Sequence, residues 1–135
     1  MLKVSEEKLH KHFRQGMKGV CVWRLETRIG LGVPDCLVAI QNRRWVLLEL
    51  KVISRGKKIR LSPHQIAFGI KAAALGVPSF ILVLHCPAKG DGELLIYNGA
   101  QAVELFSTGI DTPPLDRWSW LHVEWGALTE LLASA

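Results

Sequence analysis

The chain is poor in cysteine, and the few cysteines it has are isolated from one another. Cys21, Cys36 and Cys86 lie far apart among 135 residues, each within an apolar run. Their odd number and wide spacing exclude a disulfide framework and fit no zinc-ligand pattern. We therefore expect three buried, reduced thiols in a cytoplasmic protein.

The chain also lacks a long unbroken apolar stretch. Its most apolar region, residues 66–84, is interrupted by Lys71, Gly76 and Pro78, so we expect no membrane-spanning helix. Charges from Lys3 onward and the absence of an apolar core argue against a signal peptide. Without repeats or shifts of composition, the sequence predicts one domain over residues 1–135. Its core would span residues 5–86, and residues 87–135 would form a C-terminal extension.

Acidic side chains are outnumbered by basic ones. Seventeen Lys and Arg against 12 Asp and Glu give a formal net charge of +5 and a pI near 9.4. A basic balance favours a polyanionic partner, because Lys and Arg that neutralise phosphates release counterions. The same balance also serves solubility, so the charge alone does not identify the partner.

Cap and turn signals divide the chain into short elements. Ser5 is a good N-cap for a first helix, and Ser62-Pro63 followed by Gln65 opens a second helix. Apolar runs predict strands at residues 20–25, 36–40, 45–52, 80–85 and 93–97, and a last helix through Leu128, Leu131 and Leu132. The core order is helix, strand, strand, strand, helix, strand, which predicts an α/β fold with a mixed central sheet flanked by helices.

Three charged residues lie in the most strand-like part of the chain. Asp35 precedes the second predicted strand, and Glu49 and Lys51 lie on the third. Because residues two apart share a face of a strand, Glu49 and Lys51 point to the same side. Burying a charge is costly unless it is paired or holds a metal. An exposed ion pair is the ordinary alternative, but Leu47 shares the face of Glu49, so that face is not simply solvated.

The hairpin between the second and third strands decides whether Asp35 meets Glu49. A two-residue turn sets Cys36 opposite Glu49 instead. A three-residue turn, in which Ile40 pairs with Arg44, sets Asp35 there. We predict this second register, which requires an odd turn or a bulge.

Two converging carboxylates predict a cation between them. They repel each other unless positive charge lies nearby. Hard oxygen ligands suit Mg²⁺ or Mn²⁺, and Mg²⁺ often takes a substrate phosphate among its ligands. The metal would activate a water, and Lys51 is better suited to stabilise the charged species than to act as a free base. The pattern therefore indicates a phosphodiester-hydrolysis site.

The residues of this pattern resemble the PD-(D/E)XK nuclease superfamily. A Pro-Asp pair ending at Asp35, followed by Glu49-Leu50-Lys51, matches its signature. More narrowly, GVPD, then LLELK, a basic stretch and LSPHQ resemble the VRR-NUC branch, over roughly residues 5–84. The resemblance implies a restriction-endonuclease-like core. In that core Asp35, Glu49 and the Leu50 carbonyl would bind the metal, and Lys51 would orient the attacking water.

The resemblance implies two further roles that the residues themselves leave open. Gln65 would support the site from the second helix, although it also fits a capping box. The family often adds a glutamate from the first helix, and either Glu6 or Glu7 fits, with Glu7 preferred. Acids in a first turn also simply complement the helix dipole. Glu26 is a weaker candidate at the end of a strand.

Basic and aromatic residues outside the signature are candidates for contacts with nucleic acid. DNA-binding side chains are predicted at Arg28, Arg55, Lys57, Lys58 and Arg60. Together the last four predict a basic, flexible loop next to the Glu49–Lys51 strand, which favours DNA contact; the alternative for each of them is an ordinary solvated loop. Trp118, Trp120 and Trp125 could stack on unpaired bases, but tryptophans near a terminal helix are more typical of a core or a dimer interface, which we expect here.

Together with the resemblance, these features predict an Mg²⁺- or Mn²⁺-dependent DNA endonuclease. Stand-alone members of the family resemble junction resolvases that act as homodimers. We therefore expect Holliday junctions or other branched DNA as substrate, and a recombination role in a bacterial or phage-infected cell. The alternatives are a non-specific or sequence-directed deoxyribonuclease, and a DNA-binding module without turnover. The intact Asp35, Glu49 and Lys51 argue against the last.

Overall fold

A six-stranded sheet with helices on both faces forms the framework of the protein. The computed structural model describes residues 5–25, 32–42, 44–87 and 90–134. The helices in these ranges are α1 (Glu6–Gly16), α2 (Pro63–Ala74), α3 (Ala102–Thr108) and α4 (Trp125–Ala133). The strands are β1 (Val20–Arg24), β2 (Cys36–Ile40), β3 (Trp45–Ile53), β4 (Ser79–His85), β5 (Glu93–Asn98) and β6 (Asp116–Ser119).

The sheet is mixed and follows the order of the chain, β1-β2-β3-β4-β5-β6. Neighbouring strands are antiparallel except for β3 and β4, which are parallel and joined through α2. The predicted α/β class and the core order from α1 to β4 are confirmed. Every helix in the described ranges is too short or too polar to cross a bilayer.

Two apolar clusters attach helices to opposite faces of the sheet. On one face, Leu9 of α1 and Leu128 of α4 pack in the same cluster as Leu48 of β3. On the other face, Leu105 of α3 packs in a cluster with Ile81 of β4. The predicted alternation of β3 is confirmed, because Leu48 and the other buried even-numbered residues turn away from Glu49 and Lys51. The charged pair therefore lies on the α2 side of the sheet.

The β2–β3 hairpin has the register that the site requires. Cys36 pairs with Leu48 and Ala39 with Trp45, so the turn between the strands is odd, as predicted. Asn42 in this turn has a φ of 59°, a left-handed conformation that asparagine tolerates better than most residues. Continuing the register by one residue sets Asp35 opposite Glu49.

Residues 90–134 add to both the sheet and the core. The predicted strand β5 and helix α4 are present, whereas β6 and α3 were not predicted. Trp118 is buried in the core, and Trp120 and Trp125 pack partly buried against the same cluster, which confirms a packing role for these residues. Among the thiols, Cys36 and Cys86 are buried, but the prediction for Cys21 was wrong because it lies exposed on the edge strand β1.

Candidate active site

The hairpin and α2 bring four polar side chains to one point beside the sheet. Asp35 accepts a hydrogen bond from the Leu50 backbone N–H, with 3.2 Å from Oδ1 to the nitrogen. Glu49 is only 8% exposed, and its Oε2 lies 3.5 Å from Nζ of Lys51. The structure therefore brings Asp35, directly before β2, together with Glu49 and Lys51 of β3.

Gln65 joins this group from the first turn of α2. Its amide nitrogen donates to Oε2 of Glu49 at 3.2 Å, and its amide oxygen accepts from Nζ of Lys51 at 3.3 Å. The same oxygen accepts from the Ser62 backbone N–H at 3.0 Å and so closes the capping box of α2. The cap and the contact with the charged pair, which the sequence left as alternatives, are thus both made by one side chain.

A glycine explains how the loop before β2 reaches the site. Gly32 has a φ of +83°, and a Cβ at this position would lie 2.3 Å from the carbonyl oxygen of His64. Glycine permits both the left-handed backbone and the close approach to the start of α2. The loop that leads to Asp35 therefore lies directly against the turn that carries Gln65.

The pKa of Glu49 indicates that the carboxylates of Asp35 and Glu49 have too little positive charge beside them. Burial raises the pKa of Glu49 to about 8, and the hydrogen bond and charge of Asp35 add to the rise, while Lys51 opposes it. A carboxyl pKa raised this far means that nearby positive charges and hydrogen bonds do not stabilise the ionised form enough to offset its burial. One ammonium group does not fully balance two carboxylates here.

The donor set fits a hard divalent cation. Asp35 and Glu49 offer carboxylate oxygens, which Mg²⁺ and Mn²⁺ prefer, and a cation beside them would relieve the unfavourable charge on Glu49. In the described ranges, no group of three or more His, Cys, Asp or Glu side chains is arranged to hold a metal ion. A cation here would therefore rely on two carboxylates, backbone oxygen and groups outside the protein.

The Leu50 carbonyl faces the same side of β3 as Asp35. Leu47 N–H bonds to Pro78 O and Ile53 O accepts from Cys86 N–H, so the odd-numbered peptide groups of β3 face β4. The N–H and C=O of one strand residue point to the same side, and the Leu50 N–H bonds to Asp35. The Leu50 carbonyl consequently faces the β2 side of β3, past the start of β2.

His10 is a member of the site that the sequence did not predict. This residue of α1 is 5% exposed, and its Nε2 lies 3.3 Å from Oδ2 of Asp35. Its spacing of two residues from His12 excludes a metal pair on one helix face and gives no hint of this contact. The available signal was the position of His10 three residues before Phe13, on the buried side of α1.

The two glutamates at the start of α1 lie in different surroundings. Glu7 is exposed and forms an ion pair with Arg24, which lowers the pKa of its carboxyl. Glu6 borders a cleft of about 350 Å³ that Lys51 also lines. The structure thus places Glu6, and not the preferred Glu7, beside a residue of the charged group.

The basic segment after β3 lines the same cleft of about 350 Å³. Its members there are Arg55, Lys58 and Arg60. Lys57 instead forms an exposed ion pair with Asp111 at 3.1 Å. The segment is anchored, because Ile59 is buried and the Lys57 carbonyl accepts from the backbone N–H of Ile110. The expectation of a flexible loop is therefore corrected, while its exposed cations remain beside Lys51. Arg28 and Glu26 lie outside the described residues.

A second basic cleft, of about 620 Å³, lies along α1. Its lining includes Lys8, Lys11, Arg14 and Arg24, with Glu7 as the acidic member and His10 at the side of the site. The three α1 cations recur every third residue and so share one helical face. This periodicity was available in the sequence as a signal of a basic face.

Comparisons with known proteins found similarity among solved structures only. No protein-family model matches it, and neither does any curated protein sequence. Among solved structures, a Holliday junction resolvase, Hjc, from the archaeal hyperthermophile Archaeoglobus fulgidus is similar. That similarity has a TM-score of 0.48 and 16% sequence identity, over 69% of this chain and 72% of the other. A likeness of this size does not establish a common function.

Proposed function

We propose that this protein is a metal-dependent DNA endonuclease that hydrolyses phosphodiester bonds in branched DNA, Holliday junctions included. The observation that carries the proposal is the convergence of Asp35, Glu49 and Lys51, the last two of which Gln65 holds by hydrogen bonds. Two carboxylates and an ammonium group at one point are what metal-assisted phosphoryl chemistry requires.

Each residue has a defined task in this proposal. Asp35, Glu49 and the Leu50 carbonyl would hold Mg²⁺ or Mn²⁺, which supplies Lewis acidity and a lowered pKa of bound water. Lys51 orients the attacking water and stabilises negative charge on the phosphate, and Gln65 holds Lys51 and Glu49 in place. The supporting acid expected from α1 is Glu6 in this proposal, because it shares the cleft with Lys51.

Two basic surfaces would hold the DNA near the site. The first comprises Arg55, Lys58 and Arg60 beside Lys51. The second is the α1 cleft, which reaches His10. Two distinct basic clefts are suited to a substrate that leaves the cleavage point in more than one direction. The preference for branched DNA and the homodimer that would cut it symmetrically rest on the resemblance of the GVPD, LLELK and LSPHQ motifs.

Cleavage assays with an active-site variant test the proposal. The wild type, Asp35→Ala and Asp91→Asn, an exposed control, are incubated with labelled four-way junction, flap and linear duplex, with and without Mg²⁺. We expect symmetric nicking of the junction by the wild type and the control, only with metal, and a loss of at least about 100-fold in the variant.

Other results identify the rival functions. Equal cleavage of all three substrates would indicate a deoxyribonuclease without branch selectivity. Binding of DNA without cleavage, under every metal condition, would indicate a DNA-binding module and overturn the proposal.

A further inference from the structure

The ring of His10 bridges two consecutive residues at the start of β2. Its Nε2 lies 3.3 Å from Oδ2 of Asp35, and its Nδ1 lies 3.5 Å from Sγ of Cys36. His10 belongs to α1, 25 residues from Asp35 in the sequence. Both ring nitrogens of a buried imidazole are therefore engaged, one by a carboxylate and the other by a thiol.

The chemistry of the partners determines the direction of both hydrogen bonds. An ionised carboxylate only accepts, so Nε2 must carry the hydrogen toward Asp35. In that neutral tautomer Nδ1 is an acceptor, so the Cys36 thiol donates to it, with 3.5 Å from Sγ to the nitrogen. The hydrogen bonds run from Cys36 through His10 to Asp35.

We propose that His10 is a positioning residue for Asp35, with Cys36 hydrogen-bonded to its other ring nitrogen. The role in catalysis rests on the proposed nuclease function. Oδ1 of Asp35 is held by the Leu50 N–H and Oδ2 by His10, so rotation of the carboxylate is blocked at both oxygens. Substitution of a residue that hydrogen-bonds a metal ligand typically lowers metal affinity or activity by about 10- to 100-fold.

The same three residue types also make up thiol hydrolases, but the arrangement excludes that activity. A cysteine nucleophile must be accessible and readily ionised. Cys36 is 0% exposed, and the pKa of its thiol is raised instead of lowered. The thiol is a hydrogen-bond donor to the ring and does not reach a substrate.

Two amide substitutions at His10 separate positioning from packing. In His10→Gln the side-chain nitrogen reaches the place of Nε2, whereas in His10→Asn it reaches only the place of Nδ1. We expect His10→Gln to bind Mn²⁺ within about threefold of the wild type, and His10→Asn to bind it about 10-fold or more weakly, as measured by electron paramagnetic resonance. In cleavage assays His10→Asn should lower kcat with little change in KM for DNA.

A control and a direct measurement keep the test independent of folding and of cleavage. His12→Gln, on the exposed side of α1, should bind Mn²⁺ as the wild type does. Nitrogen-15 NMR of the metal-free wild type should show a hydrogen on Nε2 of His10 and none on Nδ1. The opposite tautomer, or equal Mn²⁺ affinity in the Gln and Asn variants, would overturn the inference. A wild type that shows the expected tautomer and Mn²⁺ affinities but cuts no DNA would refute the nuclease function alone.

Discussion

Gln65 carries two tasks, and the two can be separated by substitution at neighbouring positions. Its amide bonds to Glu49 and Lys51 while also accepting the Ser62 N–H of the capping box. Ser62→Ala removes the cap hydroxyl, and we expect a loss of about 1 kcal/mol of unfolding free energy with cleavage by the folded protein unchanged. Gln65→Ala should cost a similar free energy and in addition lower kcat by about 10-fold or more. Denaturant titration and cleavage kinetics measure both. Equal kcat in the two variants would show that Gln65 only caps the helix.

Glu49 makes the stability of the metal-free protein depend on pH. The pKa of Glu49 is raised from 4.5 to about 8 in the folded state, chiefly by burial. As pH rises from about 4.5 to about 8, the unfolded chain ionises freely while the folded carboxyl resists, so the free energy of unfolding falls. Above about 8 this contribution is constant, and below 4.5 it is absent.

Glu49→Gln removes the ionisable carboxyl group, and with it the unfavourable free energy of ionising that group in the folded protein. In EDTA the variant should be more stable than the wild type by on the order of a few kcal/mol at pH 8, with the difference vanishing toward pH 4. Glu104→Gln, an exposed control on α3, should show no such trend. Mg²⁺ should stabilise the wild type but not Glu49→Gln. Thermal unfolding across this pH range is the measurement, and parallel curves for the wild type and Glu49→Gln would contradict the prediction.

At the residue scale, the sequence predicts those site residues that a strand motif fixes. Glu49 and Lys51 share a face because of strand geometry alone, and Asp35 joins them through the parity of one turn. The contact of His10 with Asp35 depends instead on how α1 docks against the sheet. Docking is decided by the sum of apolar contacts around Leu9 and Phe13, and no local pattern encodes it.

At the scale of elements, the loop before β2 and the start of α2 act as one unit. Gly32→Ala places a Cβ 2.3 Å from the His64 carbonyl oxygen and adds strain at a φ of +83°. We expect a loss of more than about 1 kcal/mol in unfolding free energy and weaker cleavage, because the loop that carries Asp35 must move.

Gly90→Ala is the matched control, with a φ of +94° and no atom within 4 Å of the added Cβ. Denaturant titration of both variants tests this. A loss no larger than that of the control would show that the close approach is unimportant.

The sequence predicted the helices and strands that have strong local signals and missed those that do not. The helices α1 and α2 begin at strong caps, Ser5 and Ser62, whose side chains accept from the first turns as the sequence indicates. The four residues of β6 and the seven of α3 are too short for their periodicity to be distinctive. These two elements exist because β5 and the cluster around Leu105 offer them a partner, which is tertiary information.

At the scale of the whole molecule, the net charge of +5 indicated a polyanionic partner without locating it. The structure divides the basic groups between the segment after β3 and the α1 cleft. If DNA runs across the site, cations in both clefts neutralise phosphates. If it approaches from one side only, one cleft is dispensable.

Charge reversal in each cleft distinguishes these arrangements. Lys11→Glu, on the exposed face of α1, and Arg60→Glu, in the other cleft, should each weaken binding of a four-way junction. Each should also reduce the slope of log K against log salt by about 1 for every phosphate that the variant no longer neutralises. Lys71 is exposed in the last turn of α2. Lys71→Glu changes the net charge by the same amount and should alter the slope least. Fluorescence anisotropy over a series of salt concentrations gives the slopes. Because long-range charge affects all three variants alike while ion release requires direct contact, equal slopes would mean that neither cleft touches the DNA backbone.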